Sequence, residues 1–398
     1  MTRLNPNLIP RANWDYGLFD FCKSLSGIFS DGPDLEGLFE HLFNRRPLFT
    51  TSGRASLHAI LTSLDLPPGS QVGVPLFCCS VVFDTIINAG LRPRFIDINP
   101  GDFNVSVQDL EKKKNALSAI IVVHMFGAPA DMDSLISVSG GRIPIIEDCA
   151  HSLFSTYKGQ YTGTLSTASF FSFRSGKYIS SGEGSAILAQ SPELYHAIRK
   201  TTDSYPSWRL HEEWIHAATT LIKSQLYQKP YYGLIGLPIG MMLDRKLNLT
   251  AKSGIMLKKI SRGDSTIIGR RIMNFRSTIQ RQMEHANYLL TDLSLKNGLL
   301  PAVLDGCQGN SYQFPIQFKT SEQRDRAATD FFQRGVDCAK YLDDIVDYAR
   351  SACGYEGDCP HAELRSKTTL LLPHYYTLSY DLLDHVKKAL MEVDHLLE

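Results

Sequence analysis

The chain predicts an α/β fold, a large domain with a mostly parallel mixed sheet flanked by helices, followed by a smaller C-terminal α+β domain. Three observations carry this. Between about residues 50 and 190, short apolar runs alternate with amphipathic segments, the order a mostly parallel sheet requires. Most of those runs show little polar alternation, as strands covered on both faces do. Near residue 266 the rhythm changes to a long helical pattern, which divides the chain into residues 1–265 and 266–398.

The strand candidates, in order, are QVGVPLF, RPRFIDI, AIIVVHMF, IPIIEDC, ASFFSF and GSAILAQ. Between them lie the helix candidates GRASLHAILTSL, SVVFDTIINAG, VQDLEKKKN and ADMDSLISVSG; those ending in glycine carry the residue that most readily closes a helix. Residues 200–262 interrupt the rhythm with the aromatic-rich stretch WIHAATTLIKSQLYQKPYYGLIGLPIGMML. Lys223, Lys229 and two prolines break it too often for a membrane span, so it reads as a buried or subunit-covering insertion. Ile268, Ile272, Phe275, Ile279 and Met283 recur every three to four residues and predict a long amphipathic helix. SYQFPIQF then reads as a strand and DLLDHVKKALMEV as a closing helix.

Composition removes several function classes. The 398 residues hold 41 basic and 41 acidic side chains, for a net charge of zero and no basic stripe, so nucleic acid is not an expected partner. The N-terminal MTRLNPNLIPRANWDYG lacks an apolar core of signal-peptide length, and a cytoplasmic protein is expected. Eight cysteines form no CxxC pair, and two of them are adjacent; buried thiols acting as small hydrophobes fit better than disulfides or zinc.

Ligands of open α/β sheets collect beyond the carboxyl ends of the strands, so chemistry is sought there. At the first such end, TTSGRASLHAIL, Thr51 and Ser52 can cap a helix whose opening residues Gly53, Arg54 and Ala55 offer free backbone N–H groups to a phosphate. At the second, Asp148 ends an apolar strand and His151 follows three residues later; the carboxylate can cap a helix or face a cationic ring nitrogen. At the third, FFSFRSGKYISSGEGS, Ser172 closes a strand-like run and Lys177 sits in a loop of small residues with glycines at 176, 182 and 184. A lysine that forms a Schiff base needs such a tether, whereas a lone lysine is ordinarily a solvated charge.

Taken together, these motifs and their spacing resemble the DegT/DnrJ/EryC1/StrS family of sugar aminotransferases, which are fold-type I enzymes dependent on pyridoxal 5'-phosphate (PLP). The resemblance runs from TSGRASL through VPLFCCSVVFDTIINAGLRPRFIDINPGDFNV, VVHMFGAPADMDSL, IPIIEDCAHS, SFRSGK and GEGS to GDCPHAELRSKTTLLLPHYYTLS. It implies that Lys177 binds the cofactor covalently and shuttles the proton, that Asp148 pairs with the pyridine nitrogen, and that His151 lies near the ring hydroxyl. Ser172 and the backbone at Gly53, Arg54 and Ala55 would hold the phosphate.

The chain departs from the family at three places. Cys79 stands where an aromatic residue often covers the ring, Arg54 replaces a usual threonine, and Lys246, Leu247, Asn248, Leu249 and Thr250 stand where many members carry an Asn-x-Arg-Met stretch that reaches the partner's site. The implied activity is amino transfer from an amino acid, glutamate, to a keto group of a nucleotide-linked sugar, with pyridoxamine phosphate as the other cofactor form. It would serve aminosugar and polysaccharide biosynthesis, and the working unit would be a homodimer. A lysine at 177 argues against the deoxygenating subgroup, which has histidine there. The alternative is a non-catalytic or regulatory member that keeps the fold and PLP, supported by the residues at 79, 246 and 248. A dinucleotide-dependent oxidoreductase is disfavoured because no GxGxxG follows the first strand.

Overall fold

The computed structural model describes residues 4–30, 32–247, 254–291 and 301–393. All six predicted strands of the large domain form, as β2 (Gln71–Pro75), β3 (Arg92–Ile96), β4 (Leu117–Val123), β5 (Ile145–Asp148), β8 (Ala168–Ser172) and β9 (Ser185–Ala189). They are joined by β1 (Pro47–Thr50), which is not among the strand candidates of the sequence, while β6 (Thr156–Tyr157) and β7 (Gln160–Tyr161) make a separate hairpin. The large sheet runs β1-β9-β8-β5-β4-β2-β3. Strands β8, β5, β4, β2 and β3 are mutually parallel, and β9 is antiparallel to both of its neighbours.

The apolar character of the strands follows from cover on both faces. In β4, Ala119, Ile121 and Val123 join the core under helices Gly53–Ser63 and Ser80–Asn88, while Ile120 and Val122 pack with Leu110, Met132 and Leu135 from helices on the other side. The end of the sheet near β8 and β9 is covered by Phe39 and Phe43 of helix Leu35–Phe43 and by Ile268 and Ile272, with Phe171 and Phe173 between them.

A three-stranded antiparallel sheet, β10 (Phe314–Gln317), β11 (Ala339–Lys340) and β12 (Thr369–Leu372), is ordered β10-β12-β11. Helices Ser321–Gln333 and Tyr380–Val393 pack on it through Ala327, Phe331, Leu383, Val386 and Leu390. Ile9, near the start of the chain, is fully buried in this same core and bridges to Val336, so the N-terminal segment crosses to the C-terminal unit.

One expectation is corrected. The pattern from Ile268 to Met283 does not form one helix: the chain turns at Met273 and Asn274 between helices Arg262–Ile272 and Phe275–Leu290. Asparagine competes with helical hydrogen bonding, and Ile268, Ile272, Phe275 and Ile279 still reach one apolar cluster, so the periodicity survives the turn. The insertion is buried along only one side. Tyr232, Ala217, Thr220 and Ser224 face inward, while Trp214, Ile215, Ile222, Leu234, Ile235 and Ile239 are exposed. Asn248, Leu249 and Thr250 lie outside the described residues, as do the side chains of Lys246 and Leu247. No helix among the described residues is long and apolar enough to cross a membrane, and none of the eight cysteines forms a disulfide.

Candidate active site

The strand ends that the sequence singles out meet in one cleft of about 800 Å³. Ser52, Gly53 and Arg54 enter it from the turn after β1, Cys78 and Cys79 after β2, Val123 at the end of β4, Asp148 at the end of β5 and Ser172 at the end of β8. His151, Lys177, Glu183 and Tyr341 complete the wall.

The turn at residues 51–55 is a helix start shaped by its cap. Ser52 Oγ accepts from the Ala55 amide at 3.3 Å, which takes that N–H for the cap and sets Ala55, fully buried, back from the cleft. Thr51 does not cap; its hydroxyl is buried without a partner among the described residues. Gly53 and Arg54 line the cleft at this helix start. A Cβ on Gly53 would stand 3.3 Å from the Phe170 ring and 3.8 Å from Ser172 Cβ, so glycine lets the helix start close against β8.

Asp148 is 5% exposed. Its Oδ1 accepts from the Ala150 amide at 2.9 Å. Burial pushes its carboxyl above the usual range, against the Ala150 N–H and the positive charge of Lys177. Such a carboxylate lacks compensation and is stabilised by any cationic group set against it. His151 is driven the other way: burial and the neighbouring Lys177 push its pKa well below the ordinary value, so the ring is neutral. Its Nδ1 accepts from the Phe126 amide at 3.3 Å, which leaves the proton on Nε2 as a donor.

Lys177 follows a closed loop. Phe173 N donates to Gly184 O at 2.9 Å, Ser175 N to Gly182 O at 3.0 Å and Lys177 N to Arg174 O at 3.0 Å. The loop needs Gly176 at φ +88° and Gly182 at φ +117°, conformations that other residues rarely adopt. Lys177 Nζ lies 5.0 Å from the centre of the Tyr312 ring and has no ion pair among the described residues. Cys79 begins helix Ser80–Asn88 and is exposed at the cleft, without making a side-chain cap. In its neighbourhood Tyr341 packs on Phe77 and Phe126.

The sequence reading overlooked several of these groups. Glu183 lies within the quoted GEGS, yet only the fold shows its Oε2 buried without a partner among the described residues and its carboxyl pushed up by burial against Arg174 and Arg54. Tyr312 and Tyr341 come from the C-terminal unit and carry no local signal. One acidic cluster has no vacancy: His124, Glu147 and Cys149 could together hold a metal, but both His124 nitrogens and both Glu147 oxygens are engaged in hydrogen bonds.

The mixed sheet flanked by helices places the chain in a class of protein, the PLP-dependent transferases of fold type I, with the solved aminotransferases on which it superposes. Within that class the chain belongs to the DegT/DnrJ/EryC1/StrS aminotransferase family, whose model matches residues 33–391. Among relatives, it is 35% identical to GDP-perosamine synthase of Escherichia coli O157:H7 over 147 residues, 36% of this chain and 40% of that protein. The chain thus matches well under two thirds of that relative's length. It is 26% identical to dTDP-4-dehydro-2,3,6-trideoxy-D-glucose 4-aminotransferase of Saccharopolyspora spinosa over 368 residues, 90% of this chain and 88% of the relative. Among solved structures, the aminotransferase TlmJ from Streptoalloteichus hindustanus superposes with a TM-score of 0.77 at 20% identity, covering 97% of this chain and 98% of TlmJ. DesV from S. venezuelae, solved with a ketimine intermediate, gives 0.75 at 21% identity over 98% and 100% of the two chains.

Proposed function

We propose that this chain is an aminotransferase that uses PLP to move an amino group from an amino-acid donor, glutamate, to a keto group of a nucleotide-linked sugar. The observation that carries the reading is the convergence of Lys177, Asp148, His151 and the Gly53–Arg54 turn on one cleft. The family and the activities of its relatives support the same reading.

The residues present suit the cofactor. Asp148, buried and short of compensation, would pair with the pyridine nitrogen and keep it protonated. Neutral His151 would donate from Nε2 to the ring hydroxyl. Ser172 and the amides of Gly53 and Arg54 would hold the phosphate at a helix N-terminus, where backbone dipoles favour an anion. Lys177 would bind the cofactor covalently through Nζ. When bound, PLP supplies an electron sink and a carrier for the amino group.

This chain's part is to place the groups and to move protons. Lys177 Nζ takes the proton from the donor's α-carbon and delivers one to the sugar carbon. The donor's C–N bond breaks, its carbon loses two electrons and leaves as a 2-keto acid. The sugar carbonyl gains those two electrons and a C–N bond, and the water consumed on releasing the keto acid is returned when the sugar carbonyl condenses. Removing Asp148 would weaken the sink, and a barrier higher by about 4 kcal/mol is expected, a rate lower by about a thousandfold.

The test is isotopic. The protein loaded with PLP is given ¹⁵N-glutamate and a nucleotide 4-ketosugar, and the sugar product is weighed by mass spectrometry. Appearance of ¹⁵N in the sugar is the expected result; a sugar without it, from several ketosugars, would overturn the reading.

A further inference from the structure

Exposed apolar side chains are ordinarily scattered singly over a protein surface, but here they are gathered. Among the described residues, twelve of the twenty large hydrophobic side chains that stand exposed fall in the stretches 18–29 and 210–242. Helix Leu18–Ile28 and its cap contribute Leu18, Phe19 and Phe29, and helix Leu210–Leu226 contributes Leu210, Trp214, Ile215 and Ile222. The chain beyond, through Tyr232–Gly236 into helix Leu237–Leu247, adds Tyr231, Leu234, Ile235, Ile239 and Met242.

These segments lie side by side. The Tyr16 amide donates to Ser224 Oγ at 3.2 Å, and at the other end of the helix pair the Phe29 and Trp214 rings meet edge to face at 6.4 Å. A Cβ on Gly236 would fall 2.3 Å from Leu226 O, so the last segment folds back directly against the end of helix Leu210–Leu226. On that helix the exposed apolar side chains lie away from Glu213, Ala217, Thr220 and Ser224, which form its buried stripe.

Charge decides what such a surface can meet. The two stretches contain three acidic residues, and all are engaged within the chain. Asp20 accepts from Arg270 and from Arg271 Nη2, Glu212 pairs with Lys258 Nζ at 2.8 Å, and Glu213 is buried and accepts from the Gly263 amide at 3.4 Å. That leaves the lysines at 23, 223 and 229, of which Lys23 Nζ sits 5.6 Å from the centre of the Phe19 ring. None of the three forms an ion pair among the described residues. Two copies joined through this face by a twofold axis would set these lysines against themselves, with no free carboxylate from the stretches to meet them. An anionic surface meets all three favourably.

We propose that this face seats the chain on a bilayer carrying anionic lipid, with the apolar side chains in the interface and the lysines against the headgroups. No described helix is long and apolar enough to cross, so the contact is of the surface-lying, amphipathic kind. Trp214 and Tyr231, each an apolar ring with one polar group, suit the headgroup level. Thr220, on the buried stripe of the same helix, packs against Gly182 of the lysine loop, so the helix laid on the bilayer also backs the cleft.

The experiment is flotation of the full chain with vesicles of phosphatidylcholine alone or with about 30% phosphatidylglycerol. It compares wild type, Ile222→Glu and the double variant Lys23→Gln, Lys223→Gln, all checked for an unchanged melting temperature because the altered side chains are exposed. The expected result is that wild type floats with the anionic vesicles and that its binding weakens as salt is raised. Affinity should fall about tenfold or more in Ile222→Glu and by a similar factor, about tenfold, in the lysine variant. A wild type that floats with neither vesicle, or binding that neither variant weakens, overturns the proposal. Equal flotation with both vesicles overturns it too, since the lysines would then contribute nothing. So does a wild type that ignores vesicles and elutes as a dimer that Ile222→Glu splits, because the face would then belong to a second copy.

Discussion

Asp148 shows how one residue can serve the site at the expense of the fold. Its carboxylate is buried with an N–H from Ala150 and a distant positive charge from Lys177. A carboxyl whose pKa is raised by folding binds its proton more readily in the folded state, so its cost is fully present at neutral pH and disappears as pH falls through the raised value towards the ordinary 3.8. Asp148→Asn should therefore raise the melting temperature of the cofactor-free protein at pH 7, with the gain gone near pH 4, while PLP affinity falls about tenfold or more. Thermal melts without PLP and a PLP titration check this; a variant less stable at pH 7 would contradict it. The sequence showed Asp148, His151, Ser172, Gly53, Arg54 and Lys177 because they sit at strand ends or helix starts, where position follows from local pattern. Ala55, named with them, has its amide taken by the Ser52 cap.

At the scale of elements, the lysine loop is braced by the insertion. A Cβ on Gly182 would fall 2.8 Å from Thr220 Oγ1 and 3.2 Å from Asp264 Oδ1, so helices Leu210–Leu226 and Arg262–Ile272 press directly on the loop backbone. Gly182→Ala meets both that crowding and a positive φ, and should cost about 2 kcal/mol and weaken PLP binding. A urea midpoint equal to wild type would contradict this. The two helices are joined by His216 Nε2, 2.9 Å from Asp264 Oδ2. Burial lowers the His216 pKa, but the charge and hydrogen bond of Asp264, aided by Glu183, outweigh that burial and the opposing Lys223, and raise it. A histidine raised on folding contributes stability fully below its ordinary 6.5 and loses it as pH climbs through the raised value. The difference in urea midpoint between wild type and His216→Gln should therefore shrink from pH 6 to pH 8.5; a constant difference would show that the pair carries no charge. None of this bracing was legible in the sequence, where residues 200–262 stand out only as a break in the βα rhythm. The helix turn at Asn274 escaped for a related reason, since a turn that keeps the apolar stripe aligned leaves the periodicity intact.

At the scale of the whole molecule, the βα alternation was readable because each strand is covered twice and each connecting helix carries one apolar face. The small sheet was half readable. β10 appeared in SYQFPIQF, but the pairing of the two-residue β11 with β12 depends on contacts between Ala339–Lys340 and Leu370–Leu371 that no window of sequence contains. A second cavity lined by Lys177 draws on residues from 11 to 376 and could come only from the fold. The fold brings those distant segments to Lys177, and the account stands on that lysine. The most direct test is the visible absorbance of purified protein with added PLP, for wild type and Lys177→Ala, before and after glutamate. The account predicts a band from lysine-bound cofactor in wild type that glutamate shifts to the pyridoxamine form, and no such band in Lys177→Ala. A folded wild type that never forms the band would contradict it.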